Sequence, residues 1–385
     1  MPHNEPSSSV KMTQRLPATL TPLDAALRLL LEGMKPVEPI EVSLADSVGG
    51  IAAVIAPPQT AHPMFSVAVA DGWAMRSRDI TGASSYSPLP LSAPQVWVEA
   101  GDRLPEDSDC VLDPDMVEQT GLIFQVLAEA APGHGIRRNG DDFEAGRLIV
   151  APGRKVNALD MLALRAIGLD RVPIRSPRVG VIDVIAKDGS TASSQFVIGF
   201  AKAAGAQVIG IQTKGRDAAS ITDALDGDAF DLLITVGGTG LGRTDATIEA
   251  LATRGAILAY GLALQPGRTV AVANFGTAPV IAAPGAPDQV LAVCLTLVQP
   301  ALDLLAARSP RRKIIRPLAR KISSSIGVEE IVLLGILDDT WMPIAAGQLS
   351  LDAIVHGDAW VSVPRDSEGY ATGTEVGAFL LRDAT

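Results

Sequence analysis

The sequence predicts a multidomain α/β protein, with a doubly wound three-layer α/β domain at its centre and smaller mixed and β-rich modules around it. Three observations carry that expectation. Between residues 178 and 236, apolar strand patterns alternate with helical ones, as strand–helix–strand units of a parallel sheet do. At 385 residues the chain exceeds what one ordinary core organises. Its 36 glycines and 27 prolines punctuate the remainder into short elements rather than long bundles.

In chain order, residues 1 to about 19 read as a flexible polar lead. Thr21 offers a helix N-cap with Pro22 at the first helical position; Leu23, Leu27, Leu30 and Met34 follow at helical spacing, with Gly33 as a stop. Residues 39–56 alternate as strand and turn. From about 57 to 134, strand candidates (95–99, 122–127) lie among Pro, Gly and Asp, which indicates a small β domain. Residues 157–167 form a helix capped by Asn157 and closed by Gly168. Strands follow at 178–185, 207–211 and 232–236, with one helix capped by Ser193 or Ser194 and a second by Asp217. RSPRR at 308–312 marks a boundary. The β patterns at 331–337, 359–363 and 376–381 make a small all-β C-terminal domain.

Composition narrows the function. A formal charge of −11 argues against nucleic acid or an anionic membrane as the main partner, so any anionic ligand needs a local basic pocket. Cys110 and Cys294 are too few for a disulfide framework and read as inert core thiols in a reducing compartment. The first residues lack the apolar stretch of a signal peptide, and no run of about 20 uninterrupted apolar residues indicates a membrane span. The cytoplasm is the expected location. The four histidines show no metal-ligand spacing, and neither GxSxG nor GxxxxGK[ST] occurs.

Four segments can carry chemistry: ADGWA (70–74), IRRNGDDFEAG (136–146), VGGTGLGRTD (236–245) and PGAP (284–287). Gly-rich backbone at a strand end lets amide N–H groups approach phosphate oxygens, and a helix N-terminus adds positive potential. Converging carboxylates there could hold Mg²⁺, which usually takes one or two and keeps waters. Each segment also has a plain structural reading. Asp71-Gly72 can be a turn, Asp245 the N-cap of a helix over 246–253, and Gly140-Asp141-Asp142 a solvated loop. Arg137 and Arg138 can be surface charge, and Pro284 and Pro287 brackets of a helix start.

Taken in order over roughly residues 20–385, these segments resemble the MoeA-type molybdopterin molybdenumtransferases, relatives of the C-terminal domain of gephyrin. TPLDAALRLLLEGMKPVEP is similar to the family's opening helix and FSVAVADGWAMRSRD to its MDGYA segment. AGDRLPEDSDCVL resembles TGxPLPxGADAVV, and IRRNGDDFEAG resembles RRxGED. VGGTGLGRTD resembles SGGVSxGxxD, LALQPGRT resembles MKPGKP and PGAP resembles PGNP. The resemblance implies an elongated, dimerising four-domain subunit. Its segments are 20–56 with 135–176 as a discontinuous linker and dimerisation domain, 57–134 as a β-rich domain, 177–308 as the molybdopterin-binding α/β domain and 313–385 as the C-terminal β domain.

The activity it implies is insertion of molybdate into adenylylated molybdopterin, releasing AMP with Mg²⁺. Asp71, Asp142 and Asp245 stand at family acids, with Asp142 and Asp245 as the metal-binding pair. Gly237, Gly238, Gly242, Arg268, Pro284, Gly285 and Pro287 match ligand-binding positions, joined by Arg137. The expected partners are the molybdopterin nucleotide, a second copy of the chain and molybdoenzymes or other cofactor-biosynthesis proteins.

The departures have a consistent sign. Lys187, in VIAKD (184–188), aligns with a family glutamate, and Arg216 with an aspartate; Asp183 or Asp188 could compensate in part. Ala100, Gln265 and Ala286 replace a threonine, a lysine and an asparagine. Basic groups in place of acids disfavour Mg²⁺ and favour an anion, so an anionic pterin or molybdate bound with little or no Mg²⁺ is expected. Two functions follow: an active molybdenum insertase, and a weakened paralogue that binds, stores or delivers the pterin. A scaffold is a third, with no specific support.

Overall fold

The computed structural model describes residues 14–91, 95–120, 123–226 and 229–382; most of the expected lead and Leu122 lie outside them. The chain divides into two compact units. One gathers the described residues up to Ala53 with Pro152–Asn157 and Arg171 onward, and the other holds Val54–Ala151 and Ala158–Asp170.

The first unit is built on a six-stranded sheet ordered Gln207–Gln212, Arg178–Asp183, Leu232–Val236, Ala278–Ala283, Ala271–Phe275, Gly255–Tyr260. The first four strands are parallel and Ala271–Phe275 is antiparallel to both its neighbours, so the sheet is mixed rather than parallel throughout. Chain length decides this. Residues 276–277 between two neighbouring strands allow only a hairpin, whereas a parallel pair needs a long crossover. Leu232–Val236 is buried at every position, as a central strand covered on both faces must be.

The apolar cluster under one face joins Val179, Val181, Leu232, Ile234 and Ile281 to Val197, Val290, Leu297 and Leu302. Leu23, Ala26 and Leu30 enter the same cluster. The helix Leu23–Leu31, which the sequence groups with a linker domain, is thus part of the α/β core. Its N-cap is Pro22, because Thr21 is held in a bridge to Leu262.

The helix Pro287–Leu305 has the length and apolarity of a membrane crossing, but 67% of its most apolar 18-residue stretch is buried inside the protein. Its centre, Cys294–Val298, is a π-helical turn. Pro300 has no N–H to give, and its ring would meet the carbonyl of Thr296 in a regular helix; the wider turn relieves both. In the same unit, Glu329–Leu337, Ala359–Val363, Glu375–Leu380 and Ile314–Pro317 form a second sheet around buried Trp341. This module is not all β, since Ser350 caps a short helix, Leu351–His356, through the Ala353 N–H.

The second unit carries two three-stranded sheets, Val96–Val98/Gly72–Met75/Cys110–Leu112 and Ser84–Leu91/Ile123–Ala128/Val117–Thr120. Trp73 packs edge-on to Trp97 and Phe124 at 5.3 and 5.0 Å between ring centroids. The helix Ala158–Ala166 ends two residues before Gly168, whose φ of +85° permits the reversal.

Candidate functional site

The central strand Leu232–Val236 ends at the carboxyl edge of the sheet, where parallel strands leave a crevice for ligands. Here the chain turns through Gly237 (φ +99°) and Gly238 (φ +70°), a backbone that side chains resist. A Cβ on Gly238 would fall within hard contact of Thr247 Oγ1. The loop opens on a cavity of about 660 Å³. Of the expected site residues, Lys187, Gly237, Gly238, Asp245, Pro284, Gly285 and Pro287 line it, together with Arg216 and Ala286.

The carbonyls of Gly237, Gly238, Thr239 and Gly240 all accept hydrogen bonds. Gly237 O accepts from Thr247 Oγ1 at 2.8 Å and Gly238 O from Thr247 N at 3.0 Å. Thr239 O accepts from the Tyr260 hydroxyl at 3.1 Å. The N–H groups of Gly238, Thr239 and Gly240 meet no acceptor among the described residues, although Gly238 and Thr239 are buried. Buried donors are rarely left unpaired, because each costs about 1–3 kcal/mol. A row of such amides is a nest for an anion.

Asp245 does not cap the following helix, which begins at Thr247 with Ala246 as N-cap. Its Oδ2 turns back to accept the Gly242 N–H at 3.0 Å, and its Oδ1 receives Arg216 Nη2 at 2.9 Å. Each oxygen of the acid thereby accepts one hydrogen bond. Arg216 also donates through Nη1 to Ile185 O, and its buried Nε has no partner among the described residues. Burial, with Asp245 adding repulsion, raises the pKa of the Tyr260 phenol. Lys187 is exposed at the rim.

The helix after Arg178–Asp183 spans Ala192–Ala203, with Thr191 as N-cap and no side-chain cap. The expected caps serve otherwise. Ser193 Oγ donates to Gly285 O at 2.7 Å, tying this helix to the PGAP turn, and Ser194 Oγ donates to Thr191 O. Asp217 does cap its helix, accepting Ser220 N–H at 3.0 Å, and this bond lowers its pKa.

Gly242 sits just outside the cavity as the donor to Asp245. Arg268 lines a neighbouring polar cavity of about 860 Å³, which shares Thr269 and Gln289 with the first. Gln265 reaches Gly347 O at 3.0 Å.

Asp71, Asp142 and Arg137 belong to the other unit. Exposed Asp71 accepts the Ala100 N–H at 2.8 Å. Asp142 lies 3.5 Å from Arg137 Nε and 3.9 Å from His62 Nε2. Among the described residues, no group of three His, Cys, Asp or Glu is placed to hold a metal.

Gln14 is the residue that the sequence did not single out. Its amide donates to Gly238 O at 3.0 Å and Gly240 O at 2.8 Å, and its Oε1 accepts the Ile248 N–H at 2.9 Å. A glutamine in a polar lead carries no local signal of such a role.

Comparison with known proteins fits this arrangement. Residues 21–168 match the model of the MoeA N-terminal region (domain I and II), and 183–304 that of a probable molybdopterin binding domain. A putative molybdopterin biosynthesis protein of Methanocaldococcus jannaschii is 24% identical over 96% of this chain and its own full length. Molybdopterin molybdenumtransferase 2 of Mycobacterium tuberculosis is 25% identical over 91% of this chain and 96% of its own. The solved molybdopterin biosynthesis MoeA protein of Pyrococcus horikoshii has the same fold, with a TM-score of 0.72 at 23% identity, over 94% of this chain and 100% of that one. With both family regions present in order and whole-length relatives of one kind, the chain belongs to the MoeA-type family of molybdenum cofactor biosynthesis.

Proposed function

We propose that the protein binds adenylylated molybdopterin at the Gly237–Gly240 amide nest and promotes insertion of molybdate, with release of AMP. The observation that carries this reading is the set of acceptor-free amides beside the Arg216 guanidinium at the carboxyl edge of the sheet. Unpaired N–H dipoles and fixed cations hold phosphate and oxyanion charge without reorganising during the reaction. Lys187 at the rim adds attraction for an anion arriving at a chain of net charge −11. The contribution of the protein is positioning and electrostatic stabilisation.

Asp183, Asp188 and Asp245 all line the cavity, but among the described residues they do not gather into a group that would hold Mg²⁺. Asp245, the acid at the loop, accepts one bond at each oxygen, from the Arg216 guanidinium and the Gly242 N–H. A divalent cation at Asp245 would compete with the guanidinium for the acid and face its charge across a few ångströms. The site is therefore read as Mg²⁺-independent, with Arg216 neutralising charge instead. The same reading has the protein working as a cytoplasmic homodimer.

One observation favours a second reading. Quenching of Asp245 by Arg216 removes a free acid from the loop, which suits a protein that binds and delivers the pterin without turnover. An in vitro assay of molybdate insertion separates the two. AMP release with active cofactor, unchanged by EDTA, supports the insertase. Tight pterin binding without AMP release selects the carrier, and absence of pterin binding overturns both.

A further inference from the structure

The chain N-terminal to the first helix runs beside the Gly-rich loop. Thr21 pairs with the strand edge through Thr21 N to Gly261 O and Ala263 N to Thr21 O, each at 2.8 Å. Leu16 and Pro17 pack against Gly261 so closely that a Cβ there would lie 3.0 and 2.9 Å from them. This anchors Gln14, whose amide spans three backbone groups on two segments: two loop carbonyls, Gly238 O and Gly240 O, and the Ile248 N–H in the first turn of the next helix.

A trans peptide fixes what those two carbonyl contacts do. The C=O of one residue and the N–H of the next point in opposite directions across a planar unit. Drawing Gly238 O and Gly240 O towards Gln14 therefore turns the Thr239 and Leu241 N–H groups the other way. Thr239 lines the cavity, and neither amide has an acceptor among the described residues. Gly238 O has a second donor in Thr247 N, but among the described residues Gly240 O has only Gln14. Glycines at 237, 238, 240 and 242 leave this loop free to flip its peptides unless something outside it sets them.

We infer that Gln14 is a positioning residue of this site: its two N–H groups hold the Gly-rich loop with carbonyls outward, so that the loop amides face the phosphate of the ligand. The inference rests on the functional reading above for the nature of the ligand, but its geometric part stands apart from it. The side chain does not touch the reacting atoms and acts through the loop.

Two substitutions in the full chain test this. Gln14→Ala removes all three bonds. Gln14→Glu keeps the shape and the acceptor for Ile248 N–H but loses both donors and sets a carboxylate against two carbonyls. Titration with AMP is expected to show both variants weakened on the order of tenfold, with melting temperatures unchanged. In the free protein, the ¹⁵N–¹H resonances of Thr239 and Leu241 should move in both. If Gln14 served only to cap the helix at Ile248, Glu would restore binding and resonances, and the proposal would be overturned. Unmoved loop resonances in Gln14→Ala would overturn it as well. Should wild type fail to bind AMP or inorganic phosphate while the resonances move as expected, the ligand assignment fails and the positioning role survives.

Discussion

Arg216 Nη2 lies 2.9 Å from Asp245 Oδ1, the two side chains only 23% and 17% exposed. The pair joins a loop after one strand to the Gly-rich loop after the next, and it places a fixed cation where the family resemblance leads one to expect an acid. A bond of this kind, partly shielded from water, is stronger than a surface pair and costly to break from one side.

Arg216→Ser should release Asp245. The carboxylate would then attract cations, and the anion would lose its charge-assisted donor. Calorimetry is expected to show Mg²⁺ affinity rising and molybdate affinity falling, each on the order of tenfold. Equal molybdate affinity in the two proteins would remove Arg216 from the anion site.

Gly238→Ala forces a side chain into φ +70° and against Thr247 Oγ1. A loss of about 2 kcal/mol is expected from strain and displaced packing, read from urea unfolding. Ligand binding should fall further than stability does, because the shift moves the amides themselves.

Asp109 Oδ1 accepts the Ser77 N–H at 2.6 Å and Oδ2 the Ser77 hydroxyl at 2.8 Å. The backbone bond is the main reason its pKa is lowered. A carboxyl depressed on folding stabilises the protein above its unfolded pKa of about 3.9, and that contribution is lost as pH falls through the lower folded value. Asp109→Ala should cost about 1.5 kcal/mol at neutral pH, with the two unfolding curves converging in acid.

Both thiols are buried. Burial pushes the Cys110 pKa up to about 11 and that of Cys294 higher still. Since the thiolate is the nucleophile, neither cysteine should react with a disulfide reagent at pH 8 until denaturant is added. Rapid native labelling at either position would contradict the packing of its cluster.

Much of the architecture could be read from local pattern. The strand Leu232–Val236 is apolar but for Thr235 and ends at two glycines, as suits a buried central strand that must turn sharply. The opening helix, the Asp217 cap and the Gly-rich loop at the sheet edge were equally local, because periodicity and capping are set by residues a few positions apart. The ordered motifs placed Lys187, Asp245 and the PGAP turn at one site. Composition and spacing thus indicated the kind of fold, and the ordered motifs the family.

What local pattern could not supply was the partner of each group. Asp245 looked like a helix cap, yet Ala246 holds that place and Arg216, 29 residues earlier, reaches the acid across the sheet edge. Ser193 looked like a cap and instead bonds Gly285, 92 residues later. Gln14 had no signal at all, since its three contacts lie 224 to 234 residues away. Hydrogen bonds and ion pairs act over about 3 Å in space, whatever the separation along the chain. The sequence determined which elements form and where the Gly-rich loop falls; only folding decided which acid is quenched and which way the loop amides face.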